Sequence, residues 1–202
     1  MCRRRESRTQ PGRIVRHNNQ TNQSMKYCPE CASTLEFRHI DGVERKACVS
    51  PECNFVHWDN PVPVVAALVQ YKDRIVLARN ARWPKSIFSL VTGYLERNET
   101  PEDAVVREVK EELDLSGKVQ EFIGCYSFIE KNQVILAYWV IVTGELRTGD
   151  EISEVKLLSR DELKRWRFGR FVLTAAITKR WLEDKTPGKA SPLMPISGAT
   201  GQ

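Results

Sequence analysis

Two groups of side chains in this sequence have the types and spacing to do chemistry, one built on sulfur and the other on carboxylate oxygen. Four cysteines fall close together as Cys28-Pro-Glu-Cys31 and Cys48-Val-Ser-Pro-Glu-Cys53, with sixteen residues between the pairs. Two close pairs one hairpin apart can bring four thiolates to the corners of a tetrahedron, the arrangement of a structural zinc ion with Zn–S near ~2.3 Å. The alternatives are two disulfides or four reduced buried thiols. Cys2 and Cys125 stand apart, and His57, four residues after Cys53, is left outside a set that four thiolates already close. The second group is Glu108, Glu111 and Glu112, at i, i+3 and i+4. At ~100° per residue these cluster on one face of a helix. Like charges so spaced repel, so the pattern calls for a cation, and hard oxygen donors without a nearby His or Cys suit Mg2+ or Mn2+ bridging carboxylates to substrate phosphates. An ordinary solvated acidic face is the alternative.

The elements that must position these groups are legible around them. Between the cysteine pairs, Leu35–Ile40 and Val43–Ala47 flank Asp41-Gly42, a hairpin-turn dipeptide, so the segment reads as two short strands; with the cysteines, residues 25–58 resemble a zinc ribbon. Asn60-Pro61-Val62-Pro63 is a stiff connector into a second domain over 59–184. There Val64–Tyr71 and Arg74–Arg79 read as a hairpin about Lys72-Asp73, and Ile87–Thr92 reads as a third strand. Thr100-Pro101-Glu102-Asp103 is a helix start, with Thr as N-cap, Pro at the first helical position and acids in the first turn. The helix runs to about Leu113, with Val105, Val106, Val109 and Leu113 on its apolar face. Farther on, Phe122–Ile129 and Val134–Val142 read as strands, and Asp161–Trp166 and Phe171–Glu183 as helices.

Composition narrows the class. With 202 residues, 41% hydrophobic and 28% charged, the chain has globular proportions and room for one sizeable core. The longest apolar runs are strand-sized, far short of the ~18 residues of a membrane-spanning helix. Six Arg against one Glu in residues 1–24 account for the whole net charge of +5, so the basicity belongs to a tail with too few apolar residues to order itself. That tail lacks the apolar region of a secretory signal, which makes a cytoplasmic location the expectation; a transit peptide, or a working start at Met25, are the other readings. Residues 185–202, rich in Pro and Gly, read as a flexible C-terminal tail.

The string Gly93, five residues, Glu99, seven residues, then Arg107-Glu108-Val109-Lys110-Glu111-Glu112-Leu113-Asp114-Leu115 resembles the Nudix box, the loop-helix-loop signature of hydrolases acting on a nucleoside diphosphate linked to another group. One position departs: Asp114 stands where the family usually has Gly at the helix end, which costs some stability without removing a catalytic group. The resemblance implies an α/β fold, the Nudix α/β/α sandwich with a mixed sheet. It implies Glu108, Glu111 and Glu112 as ligands of Mg2+ or Mn2+, with the carbonyl of Gly93 completing the site, and Glu99 paired with Arg107 to lock the loop against the helix. In Glu154-Val-Lys-Leu-Leu-Ser-Arg-Asp-Glu-Leu163 it implies a late acidic residue before a short strand, with Glu154 as metal ligand or general base and Asp150 and Glu151 as competing choices. Tyr94 is placed where relatives stack an aromatic on a substrate ring, with Phe88 and Trp83 as weaker candidates.

A ribbon followed by a Nudix domain is similar to the NADH pyrophosphatase branch, whose members hydrolyse NAD(H) and, in some cases, dinucleotide caps on RNA. The Ser-Gln-Pro-Trp-Pro-Phe-Pro string usual in that branch is missing; Phe122-Ile-Gly-Cys-Tyr-Ser-Phe-Ile-Glu130 stands in its region. The expected reaction is therefore pyrophosphate hydrolysis with NAD(H), FAD, ADP-ribose, other dinucleotides and capped RNA open as substrates, structural Zn2+ in the ribbon, no membrane partner, and homodimer formation as in relatives. The rival is a nucleic-acid-binding or regulatory module with an idle Nudix fold; against it stand the intact box glutamates and the mixed charge, without a basic stripe, between the cysteine pairs.

Overall fold

A computed structural model describes residues 25–169 and 171–183, so the predicted tails at 1–24 and 185–202, with Cys2, lie outside the described residues. The chain divides into two compact units, with the boundary between Asp59 and Asn60. In the first, β1 (Leu35–Ile40), β2 (Val43–Cys48) and β3 (Val56–His57) form an antiparallel sheet in that order. The β1–β2 turn is Asp41-Gly42, with φ of +53° and +78°. Two consecutive left-handed residues are what a tight hairpin turn needs to match the twist of its strands.

The second unit is built on a six-stranded sheet. Its strands are β4 (Val62–Tyr71), β5 (Arg74–Asn80), β6 (Val91–Tyr94), β7 (Ser116–Phe128), β8 (Gln133–Thr143) and β9 (Ile152–Leu158). The order is β7-β8-β4-β5-β9, with β6 also pairing β4. β4 and β8 run parallel while the remaining pairs are antiparallel, so the sheet is mixed. One edge of β4 is shared: its last residues pair β5 and its first pair β6. Because side chains alternate faces, β4 divides its apolar residues between two cores. Val65, Ala67 and Val69 pack with Val105, Val109 and Leu113 of α1 (Pro101–Leu113). Val64, Ala66 and Leu68 pack with Leu163 of α2 (Arg160–Arg165) and Ile177 of α3 (Val172–Glu183). Helices thus cover both faces, giving the α/β/α sandwich. Among the described residues no helix is long and apolar enough to cross a membrane.

Three elements differ from the sequence reading. The strand expected over 87–92 begins at Val91; before it the backbone turns, Ile87 N–H donating to Pro84 O at 3.0 Å, and only Ser89 bridges Ala78. β7 starts six residues earlier than the apolar run, because it is an edge strand whose first half alternates half-buried and exposed positions. Ile129 is not in that strand but in a one-turn 3-10 helix, Ile129–Lys131, that carries the chain into β8.

Candidate functional site

The N-terminus of α1 is built as its sequence dictates. The Thr100 hydroxyl accepts from Asp103 N–H at 3.1 Å, Pro101 opens the helix, and Glu102 and Asp103 lie in the first turn. Glu102 also accepts from the Tyr138 hydroxyl at 3.0 Å, tying the helix start to β8. At the other end Asp114 has φ 56° and ψ 26°, the left-handed cap that the family fills with Gly, and its carboxylate is engaged by Lys110.

Arg107 organises the carboxylates. Its Nε donates to Glu99 Oε2 at 3.0 Å and its Nη2 to Glu99 Oε1 at 2.8 Å, a two-pronged clamp. The same Nη2 reaches Tyr94 O at 3.0 Å, while Nη1 donates to Glu108 Oε1 at 2.7 Å and to Glu111 Oε2 at 3.4 Å. Glu99 Oε1 accepts in addition from Glu96 N–H at 2.6 Å. The hydrogen bond from Arg107 holds the Glu99 carboxyl below the usual carboxylate range, and the bond to Glu99 raises Arg107 in turn. The loop 95–100 is thereby fastened to the helix by one guanidinium that also spans two of the three box glutamates.

Glu108 is buried, and Gly93 explains how. An added Cβ at Gly93 would lie 1.8 Å from Glu108 Cδ, so the carboxylate rests directly on the glycine backbone. Gly93 pairs with Val65, which places its missing side chain on the α1 face of the sheet. Tyr94, the next residue, pairs with Val64 and so points to the opposite face, where it is 42% exposed and accepts from Gln133 Nε2 at 3.4 Å. Glu111 is half-exposed, and Glu112 lies on the same last turns of the helix. A buried carboxylate, two more exposed ones and a backbone carbonyl are hard oxygen donors, which fit Mg2+ or Mn2+.

The late acidic residues divide. Gly149 N–H donates to Glu112 O at 2.9 Å, and a Cβ at Gly149 would sit 2.6 Å from Glu111 O, so the 145–151 loop is seated on the last turn of α1. Asp150 and Glu151 follow on the same loop, the carbonyl of Glu151 accepting from Ala81 N–H at 2.7 Å. Glu154 lies within β9, rather than before a strand, and accepts from Arg79 Nη2 at 3.2 Å with Lys156 Nζ at 3.7 Å. Its partner Arg79 shares the alternation of Ile75 and Leu77, which face α2 and α3, so Glu154 is turned away from α1. Phe88 does not reach the surface. It is 4% exposed, meets Trp166 edge-on at 6.0 Å and has Lys156 Nζ 4.8 Å over its ring, so it is packing. Trp83 is likewise occupied, against Phe171 at 5.2 Å. Sequence reasoning missed Arg79, Gly149 and Lys156, whose roles come from strand register and loop packing rather than from spacing.

In the other unit the four cysteines converge. Cys28 Sγ and Cys53 Sγ are 3.7 Å apart, Cys31 Sγ and Cys48 Sγ are 3.4 Å apart, and all four lie within 4.8 Å of one another. A tetrahedron with Zn–S near ~2.3 Å has edges of about 3.8 Å, so the set fits zinc. The first pair is shaped by a tight turn: Ala32 N–H donates to Cys28 O at 2.9 Å with Ala32 at φ 60°, and Cys28 N–H donates to Ser33 O at 2.7 Å. Hydrogen bonds from Ser33 bring the Cys31 thiol down to about 6. At Cys53 the Phe55 backbone pulls the other way, but burial and the neighbouring thiols outweigh it and push that thiol up to about 12; burial also raises Cys48. Four thiols so crowded cannot all ionise without a cation among them. All are free of disulfides, and His57 of β3, opposite Lys46 of β2, is not one of the converging residues. Among the described residues this is the one group of three or more such donors so gathered.

The family model of the NUDIX domain matches residues 60–177. The chain is 26% identical over 143 residues to an NAD-capped RNA hydrolase NudC of Vibrio vulnificus, covering 70% of this chain and 53% of that protein. It is 32% identical over 115 residues to an ADP-ribose pyrophosphatase of Methanocaldococcus jannaschii, covering 54% of this chain and 68% of that protein. It spans about half the length of the NudC relatives. A crystal structure of a NUDIX hydrolase from Nitrosomonas europaea matches with a TM-score of 0.74 at 26% identity, over 85% of this chain and 99% of that one. With its box intact at every charged position and a family match over more than half its length, this chain belongs to the Nudix family.

Proposed function

We propose that the chain is a divalent-metal-dependent pyrophosphohydrolase acting on a nucleoside diphosphate linked to a second group, with structural Zn2+ on Cys28, Cys31, Cys48 and Cys53. The observation that carries this reading is Glu108, buried on the backbone of Gly93 and joined to Glu111 through Arg107. Glu108, Glu111 and Glu112, with the Gly93 carbonyl, would hold Mg2+ or Mn2+, which supplies neutralisation of the phosphoryl oxygens and a stronger nucleophile from water. The chain's own residues do the positioning. Arg107 keeps Glu99 ionised, holds the Glu108 carboxylate by a hydrogen bond and fixes the loop that follows Tyr94, so the carboxylates meet the substrate already aligned. We assign the late acid that accepts the proton of the attacking water to the pair Asp150 and Glu151, carried by the loop seated on the last turn of α1, in place of Glu154. Glu154 holds Arg79 and so shapes β5 and β9 where they run alongside each other.

Tyr94, exposed beside Gly93 on the face of β6 opposite Glu108, is the residue we assign to stacking on a substrate ring, a role that unlike the base needs no contact with the box carboxylates. The names of the relatives put two substrate kinds first, NAD-linked caps on RNA and ADP-ribose. Comparing NADH, FAD, ADP-ribose and NAD-capped RNA with Mg2+ or Mn2+ tests the reading: turnover should fall at least about tenfold in Tyr94→Ala and by about 10²-fold in one of Asp150→Asn and Glu151→Gln, with Glu154→Gln within a few-fold of wild type. A loss at Glu154 as large as that at either loop acid would contradict the assignment of the base.

A further inference from the structure

The mixed charge that the sequence shows between the cysteine pairs is sorted by strand register into something more specific. Arg38 of β1 stands directly opposite Arg45 of β2, on the face that also carries Ile40 and Val43. Like charges directly opposite each other on paired strands are destabilising, and of the two strands Glu36 is the one acidic residue that shares their face. Beyond β3, Trp58 is 46% exposed, with the Arg45 guanidinium 4.9 Å over its ring and Arg45 Nη1 donating to Trp58 O at 2.7 Å. Arg45 Nε is out of water without a hydrogen-bond partner. The other face of the same sheet repeats the combination: Phe37 is 63% exposed with Lys46 Nζ 5.4 Å over its ring, and Tyr27 is 65% exposed nearby in sequence.

The core of this unit consists of Cys28, Leu35 and Cys48 with Met25, Cys53 and Phe55 packed against them. A unit so poor in apolar interior nevertheless leaves three aromatic rings outside it. Exposed rings with guanidinium or ammonium groups already set over them suit a partner that offers flat π faces and negative charge in the same molecule. A duplex hides its base faces, and an acidic peptide offers a π face only where it carries an aromatic residue, whereas every unpaired nucleotide offers both a π face and a charge.

We propose that the sheet of the four-cysteine unit, through Trp58, Arg45 and Arg38, binds single-stranded nucleic acid, with an unpaired base stacked beside Trp58 and the backbone phosphates meeting the arginines. Residues 25–59 carry more acidic than basic side chains, so affinity rests on stacking more than on bulk charge. This goes beyond hydrolysis at the box, and its test reads binding alone, so either proposal can fail without the other.

The test uses the full-length, zinc-loaded protein and fluorescence anisotropy with a labelled, uncapped single-stranded RNA of about 10 nucleotides. Because every variant keeps the basic residues 1–24, differences between variants report the sheet. Trp58→Ala should weaken binding about tenfold or more, Trp58→Phe should restore most of it, and Arg38→Gln should lower the slope of log affinity against log salt by about one. Hydrolysis of NADH should be unchanged in all three. Zinc content measured on each variant separates loss of the surface from loss of the unit; should Trp58→Ala lose zinc, the Phe and Arg38 variants decide. Equal affinities across zinc-retaining variants, or equal affinity for a duplex of the same length, would overturn the proposal.

Discussion

The two donor clusters of this molecule are built on opposite plans. The four thiols are brought within 4.8 Å of one another by two tight turns and a strand end, closing a ligand set that leaves no position for anything else. The box carboxylates are spread along a helix and balanced by an arginine, one buried against a glycine and another half-exposed. The first plan suits an ion that stabilises a fold, the second an ion that must share its coordination with a substrate. The difference shows in the side chains alone: sulfur donors crowd each other and need a cation to ionise together, whereas the carboxylates already have Arg107 as counter-charge.

The largest expected effect of breaking this comparison is on the closed cluster. Structural zinc contributes on the order of 10 kcal/mol to the folding of small domains. Cys28→Ser should therefore reduce zinc, measured by atomic absorption, well below one per chain; a variant retaining full stoichiometry would refute the four-thiol site. Acidification should act in the same direction, since protons compete for thiolates and zinc is retained at neutral pH but released as pH falls.

Next in size is Gly93→Ala. Its Cβ would lie 1.8 Å from Glu108 Cδ, so the buried carboxylate must move. A shift of about 1 Å in such a group lowers turnover about 10²-fold, while the stability cost, read by denaturant midpoint, should stay within about 1–3 kcal/mol. Full activity in the alanine variant would show that Glu108 does not need its seat.

A smaller effect is the pH dependence carried by Glu99. Its folded pKa is held below its ordinary value by Arg107, so its contribution is fully present above the usual carboxylate range and is lost as pH falls through the lowered value. Acid titration of Glu99→Gln should show a shallower loss of stability on that limb than wild type; parallel curves would mean that the clamp contributes nothing.

The smallest effect is Asp114→Gly. Removing a side chain from a left-handed cap gains about 1 kcal/mol, offset in part by loss of the solvent-screened pair with Lys110. The melting temperature should rise slightly with activity unchanged, and a fall would assign Asp114 a part in the site.

Much of this was readable from residue order because the controlling interactions are local. Thr100, Pro101 and the helix periodicity place α1, and Asp41-Gly42 places the ribbon hairpin, each within a few residues of the side chains concerned. Phe88 and Glu154 were not readable in the same way. Whether an aromatic beside a strand is packing or binding depends on what covers it, here Trp166 and Lys156, far along the chain. Whether Glu154 faces α1 depends on the register of β9 against β5, and a shift of a single residue reverses it. The pairing of Arg38 with Arg45 has the same origin: the string looks mixed, and only the hairpin register brings the two cations together.

The proposed activity rests on the carboxylates of α1 supporting metal-dependent pyrophosphate hydrolysis. The most direct measurement is turnover of NADH, FAD, ADP-ribose and NAD-capped RNA with Mg2+ or Mn2+, comparing wild type with Glu112→Gln. Divalent-dependent turnover of at least one substrate should be present in wild type and disappear in a variant with an unchanged melting curve. Near-normal turnover in that folded variant, or no divalent dependence in wild type, would contradict it.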